Sequence, residues 1–278
     1  MAKKKKFKVT PEVDYTQEDL EYIRFKMNPG DPSLISASPI PYVDYSYTVD
    51  IRCKNQKQKQ YLNLLKDESK QIIAALGEPG TGKSWISLAY GLQCIKTGKF
   101  KKIVCFNPTV PAGSKSLDVG FLPGDLNQKM SPYLEADKET MQAILEDSGN
   151  AMPNRIIDGL IRNRVIDHKA INFCRGKSIN NALILLNECQ NYTISDIILI
   201  LTRLGQNSKI CLSGDIRQAD SADVKKGGRK KSILEVVDRL KDMPEFGMVE
   251  FEKEDIVRNP LIAKILELLD PLDEKITW

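Results

Sequence analysis

Histidine is almost missing: His168 is the only one in 278 residues. With no second imidazole, and no CxxC pair among Cys53, Cys94, Cys105, Cys174, Cys189 and Cys211, neither a zinc site nor a disulfide framework is expected. Most of these cysteines sit inside apolar runs, which predicts reduced core thiols and a cytoplasmic setting. Long apolar stretches are absent as well. None approaches the roughly 18 residues that span a bilayer, and no secretory h-region lies near the start, so no membrane partner is expected. A strong charge imbalance is also lacking. The net charge is +4, with 41% apolar and 28% charged residues, the balance of an ordinary globular chain. The positive charge is nonetheless clustered, in Lys3 to Lys6 with Lys8, and in Lys225, Lys226, Arg229, Lys230 and Lys231. Each block reads either as a solvated run or as a contact for nucleic-acid phosphates.

Residues 1–50 carry prolines, serines and tyrosines without periodicity, as in NPGDPSLISASPIP, and read as a basic arm or linker. From residue 51 to 278, apolar runs alternate with helical patterns. KKIVCFNPT, NALILLNEC and SKICLSGD read as buried strands; ISDIILILTRLG and KSILEVVDRLKD read as helices, the first stopped by Gly205 at its C′ position. Such alternation predicts one α/β domain, a parallel sheet with helices on both faces.

GEPGTGKSW, directly after the strand-like IIAAL, has the spacing of a phosphate-binding loop. Gly77, Gly80 and Gly82, with Glu78, Pro79 and Thr81 between them, let successive backbone N–H groups converge on phosphate oxygens. Lys83 adds a point charge for the terminal phosphates, the Ser84 hydroxyl can complete a Mg²⁺ shell, and a helix opens through Trp85 with its positive end facing the anion. An ordinary glycine-rich turn is the bland alternative; a strand leading in and a helical pattern leading out speak against it.

A nucleotide site of this kind needs acidic groups at the end of a neighbouring strand. LILLNECQN supplies them in part. Glu188 is the candidate general base that orients water, while Asn187 occupies the position where a carboxylate for the magnesium's water shell is expected. Asn187→Asp is accordingly expected to raise turnover, if the chain hydrolyses nucleotide. The next strand ends in SGDIRQ, where Gln218 is placed to meet a terminal phosphate or the lytic water.

These residues carry a resemblance. GEPGTGKS, GFLPGDLNQKMSPYL, INFCRGKSINNALILLNECQNYT, LTRLGQNSKICLSGDIRQAD and EKEDIVRNPLIAKIL resemble, in order, the blocks of the PhoH family of ATPases, relatives of superfamily 1 helicases with a single RecA-like core. The resemblance implies a RecA-like P-loop fold, ATP and Mg²⁺ as ligands, and hydrolysis coupled to single-stranded nucleic acid, RNA more than DNA. It also assigns roles. NQKQKQYL resembles a glutamine motif that reads the adenine edge, with Gln58 favoured and Gln56 and Gln60 as rivals. Arg258 resembles the arginine that stabilises transition-state charge, and Arg175 one near the nucleotide or nucleic-acid path. Because one core cannot surround the terminal phosphate, a homo-oligomer, ring-like or otherwise, is expected, with Arg258 leaning towards action across its interface. The family pattern has Asp where Asn187 stands and Arg-Pro where Asn107-Pro108 stands. Such drift beside a lysine-rich start would suit a viral or mobile-element copy. The departure at Asn187 keeps a second function open: an ATP-gated oligomeric switch with little or no turnover.

Overall fold

The computed structural model describes residues 43, 45–106, 126–169, 171, 174, 176–215, 230–258, 261 and 264, and only the backbone at 126–133 and 230–232. Contacts divide the chain after Val43, and the description concerns the unit from Asp44 onward.

Among the described residues, six strands build one sheet: β1 (Ile72–Gly77), β2 (Lys102–Phe106), β3 (Ile166–Lys169), β4 (Ala182–Leu186), β5 (Lys209–Gly214) and β6 (Phe246–Phe251). Their order is β3-β2-β4-β5-β1-β6, and every pairing is parallel. All carboxyl ends therefore lie along one edge, and register keeps them level: Leu76 faces Gly214, Gly77 faces Phe251, and Leu186 lies between Phe106 and Leu212. The strand that ends in Asn187 is not the neighbour of the phosphate-loop strand, contrary to the expectation above. β5 lies between them, so both strands line the loop edge.

β1, β4 and β5 are buried almost throughout, as continuous apolar runs require when both faces are covered. On one face Ala74, Leu76, Ile184, Leu186, Ile210 and Leu212 meet α5 (Ile194–Leu201) and α6 (Lys230–Leu240) through Ile197, Ile200, Ile233, Val236 and Val237. Each of these Val, Leu and Ile side chains contributes roughly 1.5–3 kcal/mol on burial. The other face receives α2 (Lys83–Thr97), which is buried on nearly every side. At Gly91 a Cβ would come within 2.8 Å of Ile103 Cδ1 and 3.0 Å of Leu183 Cδ2, so glycine permits the close approach. Among the described residues, the remaining helices are α1 (Gln56–Lys66), α3 (Leu126–Asp147) and α4 (Pro153–Arg162).

Local signals explain the ends. Asn55 caps α1 by accepting from the Gln58 N–H, and the buried Lys209 ammonium closes its other end by donating to the Leu65 and Asp67 carbonyls at 2.7 Å each. Thr193 and Asp196 form a capping box on α5. That helix stops at Thr202, before Gly205, which is not its C′ residue. Glycine at 205 answers a different need: a Cβ there would collide with the Asn180 side chain across the Ile179–Leu204 bridge.

Candidate functional site

The loop after β1 departs from any conformation a side chain favours. Gly77, Gly80 and Gly82 have φ of 125°, 77° and 87°. Gly77 also lies so close to the Phe251 carbonyl oxygen that a Cβ would collide with it, and the Glu78 N–H donates to that same oxygen at 3.3 Å. Gly82 precedes α2, whose first turn has neither a side-chain cap nor an acidic residue, leaving its N–H groups for an anion.

Lys83 folds back into the loop. Its ammonium donates to the carbonyls of Gly77 (2.8 Å) and Glu78 (2.6 Å) and lies 3.3 Å from Thr81 Oγ1. The Phe251 ring lies 5.9 Å from the ammonium and packs edge-on against Tyr61. Burial pulls the Lys83 pKa below its ordinary value, while the carboxylates of Asp215, Glu188 and Glu78 act in the opposite direction. The ends of β4 and β5 thus bring their acids towards the lysine of β1's loop. Ser84 and Trp85 follow in the first turn of α2, half-buried, as do Pro79 and Gly80 in the loop.

Glu188 adopts the left-handed conformation (φ 52°) and is exposed at the start of a short 3-10 turn, Cys189–Asn191. Its carboxylate is held by Gln190, whose Nε2 donates to Glu188 Oε2 at 2.7 Å. The other end of the same amide accepts from the Asp215 N–H at 3.1 Å. A Cβ at Gly214 would strike Gln190, so the small residue lets the brace reach across. Gln190 was given no role by sequence reasoning, because a glutamine two residues past an acid carries no motif of its own. Gln218 lies outside the described residues, as do Arg175 and Asn107.

Gln58 is 3% exposed and already engaged at both ends of its amide: Oε1 accepts from the Lys54 N–H at 2.7 Å and Nε2 donates to the Thr81 carbonyl at 2.8 Å. It ties α1 to the loop. Gln56 and Gln60 are exposed. On the loop's other side, the Val257 N–H donates to the Gly80 carbonyl at 3.0 Å, and Ile256 and Arg258 lie against Gly80. Asn55 Nδ2 donates to the Asp255 carbonyl at 3.0 Å, completing a clasp made from residues 200 positions apart. Arg258 is exposed beside the loop of its own chain, whereas the single-core argument leaned towards a neighbouring subunit's.

Asn187 is buried at the end of β4, and its Nδ2 has a long contact of 3.5 Å with Asp137 Oδ1 on α3. Asp137 Oδ2 lies 3.0 Å from His168 Nε2 on β3, and Cys105 on β2 completes the group. Burial, and then Asp137, push the Cys105 thiol well above its usual range. The sequence offers His168 no second imidazole, but distant elements supply Asp137 and Cys105 as neighbours that sequence proximity could not reveal. All six cysteines are free thiols, five of them buried, as expected.

The profile of the family described as "PhoH-like protein" matches residues 50–270. The chain belongs to the PhoH-like family. A PhoH-like protein of Bacillus subtilis (strain 168) is 31% identical over 220 residues, covering 79% of this chain and 64% of that one. One from Synechocystis sp. (strain ATCC 27184 / PCC 6803 / Kazusa) is 31% identical over 78% of this chain and 61% of its own length. The chain thus spans under two thirds of these relatives. Among solved structures, the Sulfolobus solfataricus SWI2/SNF2 ATPase core in complex with dsDNA aligns with a TM-score of 0.40 and 12% identity, over 74% of this chain and 46% of that one. The likeness is too low to add to the strand order. With the loop geometry and the family match, this PhoH-like chain has an α/β P-loop fold of the RecA-like kind. Among the described residues no helix is long and apolar enough to cross a membrane.

Proposed function

We propose that this PhoH-like protein hydrolyses ATP with Mg²⁺ and couples the reaction to single-stranded nucleic acid, RNA more than DNA, in the cytoplasm as a homo-oligomer. The observation that carries the reading is Lys83, held inside a glycine loop with the carboxylates of Glu188 and Asp215 acting on its ammonium. The donor set suits the metal: the Ser84 hydroxyl, the Asn187 amide oxygen and the Glu188 and Asp215 carboxylates are all hard oxygen ligands. Ser84 and, through water, Asn187 are the residues assigned to it. Bound there, Mg²⁺ neutralises charge on the terminal phosphates.

The chain's own residues have separate tasks in this reading. Loop N–H groups from Gly80 to Ser84 bind the phosphates, and Lys83 exchanges its carbonyl partners for terminal phosphate oxygens. Glu188, held by Gln190, orients the attacking water and receives its proton. Arg258 offsets charge developing beyond Gly80, and Gln218 is assigned to the terminal phosphate or the water. Gln58 keeps the loop in shape and offers its remaining amide hydrogen to the adenine edge. Nucleic-acid coupling rests on the family and the basic blocks alone.

A second reading is favoured by Asn187 itself: an amide where a carboxylate is expected suits a nucleotide-gated switch. ATP turnover with and without single-stranded RNA or DNA, beside Glu188→Gln, tests both. Nucleic-acid-stimulated turnover supports the coupled ATPase; turnover equal to that of Glu188→Gln supports the switch.

A further inference from the structure

The carboxylate absent from the end of β4 has a counterpart in space. Asp137, on α3, is buried against the same strand end, and three groups converge on it: the Asn187 amide at 3.5 Å, the His168 ring at 3.0 Å and the Cys105 thiol. The frame that carries these groups is rigid. Cys105 and His168 are direct register partners on β2 and β3, and the Asn187 N–H donates to the Phe106 carbonyl at 3.1 Å. An amide has one donor end and one acceptor end. A carboxylate beside it accepts only from the donor end, so it fixes which way the amide faces.

We propose that Asp137 is a positioning residue for Asn187: by accepting from its nitrogen, it leaves the Asn187 oxygen as the group presented to metal-bound water. The proposal rests on the assignment of Asn187 to the metal's water shell. The pair then carries one carboxylate, as position 187 does in the family pattern, but on the helix instead of the strand. Asn187 and Asp137 form a donor–acceptor pair that works only with one member of each kind.

A consequence runs against the expectation from sequence. Asn187→Asp places a second buried carboxylate beside Asp137 and removes the donor facing it. Turnover should fall, not rise, and the fold should weaken.

The experiment is a double-mutant cycle of Asn187→Asp, Asp137→Asn and the two combined, read by thermal unfolding without nucleotide and by the Mg²⁺ dependence of turnover. Asn187→Asp alone is expected to lower the unfolding midpoint by about 4–10 °C. It should also raise half-saturating Mg²⁺ several-fold. Asp137→Asn, added to it, restores the donor–acceptor pair with ends exchanged and should recover most of both losses. If Asp137→Asn does not fold alone, rescue of Asn187→Asp by the same substitution still decides the matter. Additive losses, or a lone Asn187→Asp with raised turnover and unchanged midpoint, overturn the proposal. So does one zinc per chain in purified wild-type protein that is lost in His168→Gln, because Asp137 would then be a metal ligand. Absent turnover in wild type, the hydrolase reading alone falls; the unfolding cycle still tests the pair.

Discussion

Val257 donates its backbone N–H to the Gly80 carbonyl at 3.0 Å, so the segment that carries Arg258 rests on the phosphate loop of its own chain. If Arg258 acts from there, Arg258→Ala lowers turnover at every protein concentration, within the 10³–10⁵-fold span about which arginine fingers operate. Mixing Arg258→Ala with Glu188→Gln subunits should then restore nothing. Recovery of activity in co-assembled mixtures would assign the arginine to a neighbour's site.

Lys83 gives a pH signature with two opposite signs. Its pKa is depressed from 10.5 by burial, so the folded chain without nucleotide carries the cost of a charged Lys83 until pH rises through that lowered value. Between the lowered value and 10.5, stability from this group increases while affinity for ATP, which needs the ammonium, decreases. Calorimetric titrations and unfolding midpoints from pH 7 to 10 should diverge in this way, and Lys83→Arg should flatten both trends. Lys83→Ala should abolish measurable ATP binding yet remain folded, since the side chain serves the loop more than the core.

Gln190 separates positioning from binding. Gln190→Leu frees the Glu188 carboxylate and leaves the Asp215 N–H without its acceptor, at a cost of about 1–3 kcal/mol. Turnover should fall by up to about a hundredfold, the lower bound of what a positioned base contributes. ATP affinity should change little. Equal losses in kcat and affinity would mean that the brace shapes the loop instead.

Gly77 and Gly98 both have positive φ, but only one is enclosed. Gly77→Ala meets the Phe251 carbonyl and should cost roughly 3 kcal/mol or more. Gly98 ends α2 with open space around it, so Gly98→Ala should cost only the left-handed penalty of about 1–2 kcal/mol. Denaturant unfolding of the pair checks the difference; equal losses would contradict the crowding at Gly77.

What could be read in advance was what lies close together in the chain. β1, β2, β4 and β5 announced themselves as apolar runs, whereas the part-buried β3 and β6 did not, and the loop's glycines, lysine and serine are contiguous, so their shared purpose shows as a motif. Gly205 misled because a glycine after a helical pattern looks the same whether it ends a helix or admits a neighbour. The position of β5 between β1 and β4, and the partners of His168, depend on tertiary contacts that no local period encodes. Phe251 and Gln190 belong to the same class: one lends a carbonyl and a ring to a loop far upstream, the other joins two strand ends.

The clasp across the loop also sets an order of events during synthesis. Gly80 leaves the ribosome long before Val257, and Asn55 waits for a partner 200 residues behind it. β1, too, lacks β5 on one side and β6 on the other until late in the chain. Until those segments emerge, the glycine loop has neither its Phe251 support nor its Gly80 anchor. Contacts of such long range are slow to form, and the interval exposes the apolar β1 to mispairing. The segment around Arg258 thus acts as a completion mark: the site becomes competent only when nearly the whole core has been made.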